Sequence, residues 1–139
     1  MLAGCALLLT RGSGPVTVAA PSPDPVQARR CAEVLALLPT RLAGAPRRAT
    51  TPASPFTLAY DTDPPQTVRC GTDGSDLLPA DTTYIVDRVV WTREAQLGKG
   101  GTTRTWSTRR APGLELRVPD GAERDLIDAA TDALLGVRR

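Results

Sequence analysis

Apolar residues along this chain follow different rules in different places. Residues 2–9, LAGCALLL, are apolar almost without a break and are closed by Thr10 and Arg11. Between residues 26 and 42 the spacing becomes helical: Cys31, Val34, Leu35, Leu38 and Leu42 recur at steps of three and four, which predicts a helix from Val26 to about Leu38. Asp24 stands where an N-cap belongs, with Pro25 in the first turn and Gln27 in the capping-box position. Pro39 ends or kinks this helix, Gly44-Ala45-Pro46 stops any continuation, and residues 47–55, RRATTPASP, read as a loop.

From Phe56 to Pro119 the pattern changes to short β-type runs separated by turn residues. Residues 56–60 and 66–70 are two strands joined by a DTDPP turn, and residues 71–81 form a long loop. Residues 83–93 are one long strand, or two short ones broken near Asp87-Arg88. LGKGG connects them to a strand within residues 102–110, and Pro112-Gly113 leads into LELRVP. There Leu114, Leu116 and Val118 point one way and Glu115 and Arg117 the other, the pattern of a sheet with one buried and one wet face. A last helix is predicted after Asp120, its cap, with Glu123 three residues on and Gly136 as its stop. Leu126, Ala130, Ala133, Leu134 and Val137 form its apolar side. The order predicts an α+β fold, an antiparallel sheet of about four to six strands with the N-terminal and C-terminal helices packed on one face. Residues 25–139 form a single domain, residues 11–24 a Pro/Gly/Ser-rich linker, and residues 1–10 a separate segment.

Residues 1–10 are too short to span a bilayer, which takes about 20 residues. They fit a lipobox with Cys5 as the candidate lipidation site, or the tail of an export or anchor helix whose basic front end is missing. The second fits better, because ALLL is an unusually apolar start for a mature lipoprotein. Both point out of the cytoplasm and bring the membrane in through the N-terminus; a buried N-terminal turn is the plain alternative.

Composition narrows the chemistry. The 139 residues include 17 basic and 15 acidic ones, interleaved, for a net charge of +2, so no basic stripe exists to release counterions from nucleic acid. Only five aromatic side chains occur: Phe56, Tyr60, Tyr84, Trp91 and Trp106. Aliphatic residues must do most of the packing, and Trp91 and Trp106 are core if buried and candidate contact residues if exposed. There is no histidine, which removes the usual general base and the commonest metal ligand. GKGG around Lys99 lacks the order of a phosphate loop. Asp61, Asp63, Asp73 and Asp76 lack the EF-hand spacing for calcium and read as turn residues. Nothing calls for a cofactor or a metal. The pattern favours a non-catalytic domain that binds an envelope protein or cell-wall component. The alternatives are a small enzyme using carboxylates or Lys99, and a redox protein using Cys31 and Cys70.

Cys31, on the apolar helix face, and Cys70, ending a strand, can meet if the helix packs on the sheet. They then form a disulfide, of the kind that persists outside the cytoplasm; the alternative is two buried free thiols. They lie too far apart in sequence for the close spacing of catalytic dithiols.

The apolar start, VAAPSPDP, the C-x(6)-LP of Cys31 to Pro39, PPQTVRCG at 64–71, VVW ending at Trp91, TWST at 105–108 and the strand closing in VP at 118–119 stand in an order that resembles the actinobacterial domain-of-unknown-function family numbered 3515. Two positions depart from that family: Tyr60-Asp61 stands where members usually have Trp-Gly, and Arg88-Val89 where a glycine usually precedes the V-x-W segment. The resemblance implies a small secreted or membrane-anchored envelope protein with a Cys31–Cys70 bridge, and it implies no reaction.

Overall fold

The computed structural model describes residues 14–74, 77, 79–95 and 102–137. Cys5, Asp76 and Lys99 lie outside the described residues. Among the described residues ten strands and two helices follow in the order β1 (Val16–Thr17), α1 (Pro25–Leu37), β2 (Arg41–Leu42), β3 (Ala45–Arg48), β4 (Thr50–Thr51), β5 (Thr57–Tyr60), β6 (Gln66–Cys70), β7 (Ala80–Val86), β8 (Val89–Glu94), β9 (Thr103–Thr108), β10 (Leu114–Pro119) and α2 (Glu123–Val137). Eight of the strands form one sheet in the order β2-β3-β5-β6-β10-β9-β8-β7, antiparallel throughout, while β1 and β4 form a small parallel pair.

Alternation along the strands sends Val68, Cys70, Val89, Trp91, Trp106, Leu114, Leu116 and Val118 to one face, where they share a core with Cys31, Val34 and Leu35 of α1 and Leu126, Ile127, Ala130, Ala133 and Leu134 of α2. Both helices therefore pack on the same face. Asp24 caps α1 by accepting a 2.8 Å hydrogen bond from the Gln27 amide, with Pro25 at the first position. The other end of α1 is held by Arg47, whose guanidinium donates to the carbonyls of Leu35, Leu38 and Pro39. Those carbonyls are left over where a helix stops, so a single arginine from β3 meets three acceptors.

The sheet is larger than the four to six strands expected, because residues 41–51 supply β2, β3 and β4 where a loop was expected. These strands are two to four residues long and one contains Pro46, so no period of two can register in the sequence. Residues 83–93 divide into β7 and β8 through a two-residue turn in which Asp87 and Arg88 both have positive φ, 47° and 70°. The cap of α2 also differs: the helix starts at Glu123, whose Oε1 accepts from the Gly121 amide. Gly136 does not end α2. It lies inside the helix, where a Cβ would come within 3.0 Å of Leu37 Cδ1, so its role is close approach to α1.

The largest departure is the expected linker. From Gly14 on, it belongs to the fold. The amides of Val16 and Val18 donate to the carbonyls of Ala49 and Thr51, and Val18 is buried. Pro23 sits against Gly71, at a φ of 93°, where a Cβ would lie 2.5 Å from the proline ring. Extended, Pro-rich composition marks a solvated linker and a strand-like strap equally well, so the sequence alone cannot separate them.

Candidate functional site

On the helix side a cavity of about 560 Å³ lies between Arg29, Arg30 and Glu33 of α1 and Pro112 and Leu134, with Val26 exposed beside it; among the described residues the reverse face of the sheet carries no helix. Register builds a continuous polar row across it: Thr57, Arg69, Glu115, Ser107, Thr92 and Thr83 are successive cross-strand partners from β5 to β7. At its centre Arg69 Nη1 donates to both carboxylate oxygens of Glu115 at 3.0 Å, and Arg69 Nε donates to the Ala19 carbonyl at 2.7 Å. This ion pair is mostly buried, so the reverse face is not wet at Glu115 as the alternation suggested, whereas Arg117 two positions on is exposed.

The pair marks a boundary. On the β5–β6–β10 side the strap of residues 14–24 covers the sheet and leaves two clefts. One, of about 280 Å³, runs beneath Val16–Ala19 above Thr67 and Arg117; the other, of about 470 Å³, lies between Pro23, Gln27, Gly71 and Asp73. Arg69 and Glu115 line both. The most buried carboxylate on this face is therefore committed to a guanidinium and a structural role.

On the β9–β8–β7 side a shallow cavity of about 430 Å³ is floored by Val90, Thr92 and Ser107 and walled by Arg88, Arg109 and Arg110. Val90 is 45% exposed and its cross-strand neighbour Ile85 is 63% exposed, an uncovered pair of branched aliphatic side chains.

Several other polar groups are held within the fold. Asp81 accepts from Arg93 Nε at 2.9 Å and Arg104 Nη2 at 2.6 Å, which ties β7 to β8 and, across it, to β9. The hydrogen bond from Arg93 holds the Asp81 carboxyl below its ordinary range. Tyr60 donates to the Pro39 carbonyl at 2.7 Å, and burial pushes its phenol up against the partly opposing pull of Arg47. Asp61 lies 3.4 Å from Arg48. Among the described residues, no three Cys, Asp or Glu side chains gather in a way that would hold a metal ion.

Trp91 and Trp106 are not the surface contacts considered from the sequence: they are 0% and 5% exposed. Trp91 Nε1 donates to Thr131 Oγ1 at 2.9 Å, and that hydroxyl donates to the Ile127 carbonyl at 2.7 Å, so α2 is locked to the sheet through its ring. Trp106 meets Tyr84 edge-on at 6.4 Å and carries Arg93 over its ring. With five aromatic side chains to fill a core, burial of both indoles is the larger gain. Cys31 and Cys70 form a disulfide with a Cα–Cα distance of 5.6 Å, and both are fully buried. The strap, the Arg69–Glu115 pair and the arginine-walled cavity were not visible in the sequence. Only strand register brings residues 69, 92, 107 and 115 into one row.

A family model described as "Protein of unknown function (DUF3515)" matches residues 1–136. No curated protein and no solved structure matches the chain.

Proposed function

The chain belongs to the DUF3515 family of proteins of unknown function, and from that footing we propose that it is a non-catalytic domain of the cell envelope, exported, tethered near the membrane through its N-terminal segment, and binding another envelope protein or cell-wall component. The observation that carries this reading is the Cys31–Cys70 disulfide. Bonds of this kind persist outside the cytoplasm and are reduced within it. Both cysteines are sealed in the core beneath α1, out of reach of an attacking thiolate, which favours a structural staple over a redox couple. The apolar run at residues 2–9 agrees with export, and among the described residues no helix is long and apolar enough to cross a membrane. The reverse face, with its clefts and uncovered half, supplies the surface for a partner.

The compartment is tested by treating intact spheroplasts of the native host, carrying the full chain with a C-terminal epitope, with an external protease. Loss of the epitope while a cytoplasmic marker survives supports the reading. Protection of the epitope until the membrane is broken overturns it.

A further inference from the structure

From the uncovered half of the reverse face we infer a docking site for an acidic, extended segment of a partner protein. This deepens the proposed function by naming the surface and the chemistry of what it binds. Arg88, Arg109 and Arg110 line the cavity over β8 and β9, and among the described residues no carboxylate does. None of the three forms a salt bridge with a described residue, whereas Arg48, Arg69, Arg93 and Arg104 all do. Four strand arginines thus have a carboxylate partner, while these three, which follow β7 and β9, have none among the described residues. Nη1 of Arg110 is buried without a hydrogen-bond acceptor among the described residues, as are Arg104 Nε and Trp106 Nε1.

Guanidinium groups favour planar oxyanions that accept two hydrogen bonds, and carboxylates fit this geometry. The floor sets a second requirement. Val90 and Ile85 form an exposed apolar pair beside the arginines, so the ligand must carry aliphatic as well as acidic groups. A segment alternating the two meets both demands. The cavity is concave and its cations stand on its walls, which suits a protruding chain better than a flat bilayer surface. Among the described residues the adjacent strand β7 is the last in the sheet, so an extended segment has backbone groups to pair with along that edge.

The test uses the purified, oxidised protein and a short fluorescent peptide alternating glutamate with leucine, read by anisotropy at low and physiological salt. The expected result is saturable binding that weakens with salt and drops by about tenfold or more in the Arg88→Glu/Arg109→Glu variant. Both side chains are exposed, and an intact disulfide with an unchanged melting curve shows that the variant is folded. Arg124→Glu, an exposed arginine on α2, is expected to bind as the parent does. The inference is overturned if the peptide does not bind, if the glutamine–leucine version binds equally well, or if the double charge reversal changes nothing. It is also overturned if phosphatidylglycerol vesicles, and not the peptide, show the arginine-dependent binding. Because the assay takes place outside cells, its failure leaves the compartment untouched, and failure of the spheroplast experiment leaves the binding result standing.

Discussion

Reducing the Cys31–Cys70 bond should cost this protein a large share of its stability. The bond closes a loop across 39 positions, joining α1 to the central strand β6. Cross-linking a loop of that length removes about 13 cal/mol/K of entropy from the unfolded chain, or about 4 kcal/mol at room temperature. Single domains are stable by only about 5–15 kcal/mol, so the reduced protein approaches the margin. For a chain of this size the loss corresponds to a fall in melting temperature of about 15 °C. Thermal and urea unfolding of the oxidised protein, with and without a reductant, measure it. The Cys31→Ala/Cys70→Ala variant should lose at least as much, because both side chains are fully buried and their replacement also loosens packing. A loss below about 1 kcal/mol in both experiments would refute the reasoning, since the unfolded chain would then not be constrained by the bond.

Three further outcomes follow from individual contacts. Glu115→Ala strands Arg69 in a mostly buried site and should cost about 3 kcal/mol, with faster proteolysis in residues 14–24 because Arg69 also holds the Ala19 carbonyl; an unchanged cleavage rate would detach the strap from the ion pair. Thr131→Val keeps the shape of the buried side chain but leaves Trp91 Nε1 without its acceptor, and denaturant melts should show a loss of about 1–3 kcal/mol. The phenol of Tyr60 holds its proton more tightly when folded, since burial raises it above 10.0. Its contribution is therefore complete below that value and is lost as pH rises through the folded value. Stability measured across that alkaline range should fall less steeply in Tyr60→Phe, and parallel curves would contradict the assignment.

Legibility in the sequence followed element length and periodicity. Both helices, the faces of α1 and α2, and strands β5, β6, β9 and β10 could be read because their apolar positions repeat often enough to fix a period. Strands β1 to β4 could not, being short and rich in Pro, Arg and Thr. The cap Asp24–Gln27 was readable because it is local; the cap that Arg47 gives the far end of α1 was not, because it comes from another strand. The same limit hid the reverse face. Arg69 and Glu115 are 46 positions apart, and only their pairing across β6 and β10 makes them neighbours. The two tryptophans show how burial decides between readings that a sequence leaves open.

Whether the core is stapled by a disulfide in an oxidising compartment is read from protein taken from its native membrane fraction. Free thiols are blocked under denaturing conditions without reductant, and the intact mass is then measured before and after reduction. Cys31 and Cys70 are expected to escape the blocking reagent and to become reactive only once reduced. Modification of both residues before reduction would contradict the staple.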